Sequence, residues 1–311
     1  MNSEEKETFT VNNDITCTSI STISKHTKAV SSLLLLKDNR ISSCSYENSI
    51  SIFDPANNFN CDMTLLGHND LIFSLCQLDD SRLVSCSHDC EIKIWDISNN
   101  SYQCAVTIKK AHDAHIFKVI SLPNNKFASC SRDCAIKIWD MNASDVTVPI
   151  GVINKAHVDD IYSLLYMREK DVLVSSSDDT ALRVWNLKNY KMIISGYMCQ
   201  CSGKNSLYQL DEVRVIVGGW TTVQIWNIVT MENEFEINDK NVYFIYCFMK
   251  LKEKIILCGC GSGKILIFKN KTKKYSIETT KHTDGISDLL KVDENTFVSC
   301  SLDTTIKVWK F

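Results

Sequence analysis

This 311-residue chain is first of all short of things. Its longest aliphatic run is Leu33–Leu36, far below the ~20 apolar residues a bilayer-crossing helix needs. It has only 3 prolines and no linker-like stretch between its segments. Neither sign of charge dominates. The formal net charge is −3 and the isoelectric point is near 6.2, so neither nucleic acid nor an anionic membrane is attracted in bulk. The first residues, Met1 to Glu7, are polar and acidic where a secretory leader would be basic and then apolar. The richest glycine stretch, Gly259–Gly263, lacks the Lys-Ser/Thr of a phosphate loop. No Gly-x-Ser-x-Gly elbow presents a nucleophilic serine. Cysteine is plentiful, at 15 residues. Without a leader these read as free thiols in a reducing compartment, which places the protein inside the cell, in cytoplasm or nucleus. The close pairs Cys199/Cys201 and Cys258/Cys260 lack the two-residue gap usual in zinc sites and have no histidine nearby. Packing is therefore favoured, and no metal or cofactor is expected.

What is present is a period. An aromatic residue closes a short β-type run at Phe53, Trp95, Trp139, Trp185, Trp226, Phe268 and Trp309, at intervals of 42, 44, 46, 41, 42 and 41 residues. A period near 40 points to one supersecondary unit repeated around a ring, because a single small sheet cannot bury both of its faces alone. One unit shows the grammar. Leu71–Leu78, Arg82–Ser87, Glu91–Trp95 and Cys104–Ile108 read as four strands, separated by Asp-, Asn- and Ser-rich turns. The reading is one all-β domain over residues 14–311, preceded by a flexible, solvated tail at 1–13.

Four units share a finer pattern. These are His68…Ser85…Asp89…Trp95, His112…Ser129…Asp133…Trp139, His157…Ser175…Asp179…Trp185 and His282…Ser299…Asp303…Trp309, with His-to-Trp spacings of 27, 27, 28 and 27. This resembles the WD40-repeat β-propeller family over nearly the whole chain. The resemblance implies seven four-stranded antiparallel blades around a channel. It also implies that each Trp-Ser-His-Asp set is a structural hydrogen-bond network. Three units depart from the pattern. The first keeps His26 and Ser43 but has Glu47 and Phe53. The fifth has Gln200 and Gly218-Gly219-Trp220, and the sixth has Asn241, Cys258 and Ser262. The chain ends two residues after the last Trp, so the seventh blade is one strand short; Ile15–Ile23 is expected to supply it and close the ring, leaving residues 1–13 dispensable.

Repeated Ser, His and Asp also invite a hydrolase reading. Four equivalent sets argue against it, since catalysis needs one activated nucleophile beside an oxyanion hole. The expectation is a non-catalytic scaffold or adaptor that binds proteins or peptides on its rim, monomeric within a larger complex, with no nucleic-acid or membrane partner. The alternative is a substrate-receptor subunit of a ubiquitin ligase, although Trp185-Asn-Leu-Lys188 departs at two positions from that group's Trp-Asp-x-Arg. If the family geometry holds, one rim is built from the residues one and three after each His and the residue before each turn Asp. That maps Asn69, Leu71, His88, Asp113, His115, Arg132, Asp160 and Asp178 to a polar sector, and Tyr46, Trp220, Val242, Phe244 and Leu302 to an apolar one. Gly203, Gly261 and Gly285 separate them. Trp220 has a second possible place, packed within a degenerate blade.

Overall fold

β-Branched and aromatic residues at alternate positions make short strands, and Asn, Asp and Ser at the breaks make tight hairpins. The structure, a computed structural model, describes residues 8–12, 15–98, 102–198, 206–241, 243–253, 255–269, 274–280 and 282–311. These form seven sheets with antiparallel neighbours. In the first, Val30–Leu35 pairs with Ile41–Ser45, that strand with Ser49–Asp54, and that one with Asn60–Leu66. The later sheets repeat this order from Ile72, Ile116, Ile161, Ser206, Ile245 and Ile286. The first strands pack against one another in succession, and the last, Ile286–Lys291, returns against Val30–Leu35. The sheets are thus blades around a channel, and the fold is the expected seven-bladed propeller. Second strands such as Val172–Ser177 are buried throughout because the adjoining blades cover both faces, whereas an outermost strand such as Glu232–Asn238 is mostly exposed.

The ring closes where the two ends of the chain meet. Ile15–Ile23 runs antiparallel to Ile306–Lys310, with Thr18 opposite Lys310 and Ile23 opposite Ile306. It supplies the missing fourth strand of the seventh blade and covers what would be an open edge. The solvated tail expected at residues 1–13 is corrected by Thr8–Asn12, a fifth strand paired to the outside of Ile15–Ile23. The alternation Thr-Phe-Thr-Val turns Phe9 and Val11 inward, leaving them 4% and 2% exposed. The Phe9 ring meets Trp309 edge-on at 5.2 Å and Phe297 at 6.4 Å.

Two local features matter for the channel and the rim. In six blades the first strand carries a β-bulge just after its first residue, between Val30 and Ser32, Ile72 and Ser74, Ile116 and Lys118, Ile161 and Ser163, Ile245 and Cys247, and Ile286 and Asp288. A bulge re-aims its extra side chain, and the extra residues here are Ser31, Phe73, Phe117, Tyr162, Tyr246 and Ser287. The second feature is the residue after each turn Asp, or its counterpart, which adopts the left-handed region: φ is 64° at Cys90 and Cys134, 61° at Thr180 and 74° at Thr304. Cys90 and Cys134 are half-buried and hold a backbone conformation that glycine adopts more readily.

Candidate interaction face

In each of the four His-Ser-Asp-Trp sets the side chains are joined by hydrogen bonds. In the second blade Trp95 Nε1 donates to Ser85 Oγ at 2.8 Å, Ser85 lies 2.7 Å from His68 Nε2, and His68 Nδ1 lies 2.8 Å from Asp89. The corresponding distances are 2.9, 2.7 and 2.8 Å around His112, 2.9, 2.7 and 2.9 Å around His157, and 2.9, 2.8 and 2.9 Å around His282. An ionised carboxylate only accepts, so Nδ1 carries the imidazole proton and Nε2 accepts from the serine hydroxyl. Burial lowers the pKa of His112 and takes that of His157 to about 4, which keeps both rings neutral. Burial raises Asp133, but its bonds from His112 and from the backbone N–H groups of Ala135 and Asp113 outweigh that and hold it at about 2. Each Asp also caps its turn, as Asp89 does by accepting from Asn69 N at 3.0 Å and Glu91 N at 2.9 Å. Ser85, Ser129, Ser175 and Ser299 are 0% exposed. Every one of these hydroxyls is closed to substrate and already held by an indole and an imidazole.

The departing blades solve the same problem differently. In the first, Glu47 replaces Asp and lies 2.6 Å from His26 Nδ1, while Ser43 lies 2.6 Å from Nε2. Phe53 needs no acceptor. In the fifth, Trp226 Nε1 donates to Gln224 Oε1 at 2.9 Å, and Gln224 donates onward to Glu236. In the sixth, Cys258 and Phe268 are fully buried and apolar. Gln200, Gly203, Val242, Cys199 and Cys201 lie outside the described residues. Cys44, Cys86, Cys130 and Cys300 are fully buried, and burial pushes their thiols up, to about 12 for Cys44.

Among the described residues, positions mapped to the rim from sequence pair within their blades. In six blades the N–H of the residue before the turn Asp, or its counterpart, bonds the carbonyl of the residue three after the His or its counterpart. Such pairs are His88 to Leu71 at 2.9 Å, Arg132 to His115 at 2.9 Å, Asp178 to Asp160 at 3.0 Å and Leu302 to Gly285 at 2.9 Å. The polar sector is internally connected. The His88 and His115 rings stack at 3.9 Å, His88 stacks on Phe73 at 4.4 Å, and Arg132 lies 3.7 Å from Asp160. Burial outweighs the opposing Arg132 charge and raises the pKa of Asp160.

The apolar sector is an aromatic platform. Trp220 is 41% exposed and Tyr243 47%. Trp220 stacks on Phe244 at 5.2 Å, and Phe244 stacks on Tyr246 at 5.9 Å with the planes 10° apart. Of its two possible places, Trp220 takes the exposed one. Phe244 sits at φ 48°, rare for a bulky residue, held by its N–H to Trp220 O and its carbonyl to Gly261 N at 2.7 Å. Gly261 is required here, since a Cβ would lie 2.9 Å from Tyr243 O and 3.0 Å from Phe244 Cβ.

Sequence reasoning missed the channel mouth. A cavity of about 230 Å³ opens between the rim residues Tyr46 and Leu302, under a collar of the bulged rings Phe73, Phe117, Tyr162 and Tyr246. Phe117 lies 4.7 Å from Tyr162, and Tyr46 lies 5.3 Å from Phe73. Below the collar are Lys118, Asp288 and the hydroxyls of Ser32 and Ser163. Asp288 faces the channel yet is enclosed by protein; that enclosure raises its pKa, against the charge of Lys118 and bonds from Leu33 N and Ser32 Oγ at 2.9 and 3.0 Å. The second residue of each first strand, aromatic in four units, was the signal available.

The family model for the WD domain, G-beta repeat, matches residues 17–54, 59–96, 103–140, 148–186 and 273–310, together more than half of the chain. The unmatched stretch contains the fifth and sixth blades, where the networks are replaced. The first blade, though also divergent in sequence, is matched.

Proposed function

This chain belongs to the WD40 family of WD domain, G-beta repeat proteins, whose propellers generally serve as protein-interaction scaffolds, and on that premise we propose that it is a non-catalytic adaptor. It captures a protein or peptide on the face that carries the aromatic platform. The observation that carries this reading is the exposed Trp220 stacked on a half-buried Phe244 that holds a backbone conformation costing free energy. Aromatic and Arg side chains dominate binding when a partner desolvates them, and strained residues concentrate at functional sites. The apolar part of the ligand seats on Trp220 and Phe244, and its charged part reaches Arg132 and His88. Among the described residues no helix is long and apolar enough to cross a membrane, and an intracellular location fits a chain with free, buried thiols. A substrate-receptor role in a ubiquitin ligase is a narrower version of the same activity, but Trp185-Asn-Leu-Lys188 gives it little support.

The test is affinity capture from native lysate with wild type, Phe244→Ala and Arg132→Ala, alongside melting temperatures. Capture should weaken in both variants while melting changes little. Lost stability with unchanged capture would mean that Phe244 is packing only. Labelling by a serine-directed fluorophosphonate would overturn the non-catalytic reading.

A further inference from the structure

We infer that the channel mouth takes the C-terminal residue of a partner chain, its α-carboxylate on the Lys118 ammonium and its apolar side chain against the aromatic collar. The inference rests on the interaction-face reading and names what enters at its centre. Size comes first. A cavity of about 230 Å³ is smaller than the ~300–1,000 Å³ clefts that bury drug-sized ligands, and suits one residue. The collar supplies apolar walls from Tyr46, Phe73, Phe117, Tyr162 and Tyr246.

Charge decides the rest. Carboxylates also stand near the mouth, so a cationic guest has to be considered, but they are already engaged. Asp160 is 3.7 Å from Arg132 and accepts from Tyr162 Oη at 3.4 Å, and Asp178 shares the Tyr162 hydroxyl. Asp288 accepts from Ser32 Oγ, Leu33 N and Leu289 N at 3.0, 2.9 and 2.9 Å. Lys118 differs from all three. It lines the cavity, Asp288 acts on it through space, and among the described residues no carboxylate comes within ion-pairing distance of its ammonium. The ammonium has three donors to offer, and Ser163 lines the same cavity with its hydroxyl. An internal Asp or Glu would bring a carboxylate with little apolar body. A chain terminus brings both on one residue, which is what a single cation beneath an aromatic collar selects.

Fluorine-NMR titration of the full chain with N-acetyl-4-fluorophenylalanine tests this directly, because the probe is a terminal residue and nothing more. The free acid should bind, and its carboxamide should bind at least about tenfold more weakly, since the lost contact is a charge-assisted one. Lys118→Met should abolish the difference and Lys118→Arg should retain it, with melting temperatures near wild type. N-acetylglutamate α-amide and N-acetyl-lysine amide should compete poorly. No binding of the acid, equal binding of acid and carboxamide, or better competition by the glutamate or lysine probe would each overturn the inference. The wild-type comparison decides the matter even where a variant misfolds. Failure here leaves the rim reading intact, whereas capture that ignores Phe244→Ala removes the rim reading without touching the probe result.

Discussion

Replacing Phe9 by alanine tests the corrected account of the first residues most sharply. The ring is 4% exposed and sits against Trp309 and Phe297. Truncating a buried Phe to Ala costs ~3–5 kcal/mol through lost transfer free energy and the cavity left behind. Globular proteins unfold with an entropy of ~2.1 cal/mol/K per residue near 60 °C, which for this length gives roughly 0.65 kcal/mol/K. The melting temperature should therefore fall by about 5–8 °C. Because Thr8–Asn12 is an outer strand, it can detach locally, and the loss then levels off at the free energy by which the strand docks. Deleting residues 1–12 sets that ceiling and should lower melting at least as far as Phe9→Ala. Thr10, on the outward face of the same strand, is the control; Thr10→Ala should stay within ~0.5 kcal/mol of wild type. Circular-dichroism melts of the three variants decide the matter. If Phe9→Ala and the deletion both melt within 1 °C of wild type, the fifth strand contributes nothing and the argument from burial fails.

Removing a network serine should show how many partners it satisfies. Ser129→Ala leaves the Trp139 N–H and His112 Nε2 unpaired, at ~1–3 kcal/mol each, whereas Ser43→Ala leaves only His26 Nε2, so urea titrations should place Ser43→Ala at about half the loss. Acid should destabilise the protein in two stages. His157 is held near 4 against an ordinary 6.5, so the unfolded chain takes up the proton first and stability falls as pH drops from 6.5 towards 4, by ~3 kcal/mol. Asp133 at about 2 extends the loss from below 3.8 down through 2, because its bonds favour the ionised form only while it is ionised. Urea midpoints measured from pH 7 to 3 should decline throughout, with a shallower slope above pH 4 in His157→Gln. Gly261→Ala should push the Tyr243–Phe244 backbone away from a 2.9 Å contact and weaken partner capture as Phe244→Ala does, read by the same pull-down.

The architecture was legible in the sequence because its signal is redundant. Seven aromatic positions at a near-constant interval outweigh the loss of any one, so Phe53 and Phe268 did not hide their blades. The networks were legible for the same reason, and Gln224 shows the limit. It takes over the acceptor role from the neighbouring strand, at a position where no motif looks for it. Thr8–Asn12 escaped because a five-residue strand with two inward side chains is too short to set a period. The channel mouth escaped because its residues are aimed by bulges, and a bulge breaks the alternation from which facing is read. Phe73, Phe117, Tyr162 and Tyr246 look like ordinary strand aromatics until the register is known.

Pairing Ile15–Ile23 with Ile306–Lys310 also has a consequence at the ribosome. Translation at ~5–20 residues per second separates the emergence of these two segments by roughly 15–60 s. For all of that time the early segment, rich in Ile and Thr, has only the short Thr8–Asn12 strand on one side, and the edge meant for Ile306–Lys310 stays open. It is then a β-prone ribbon that can pair with another nascent chain, so expression at a rate that crowds polysomes should favour inclusion bodies, and a holdase that shields the first two dozen residues should relieve them.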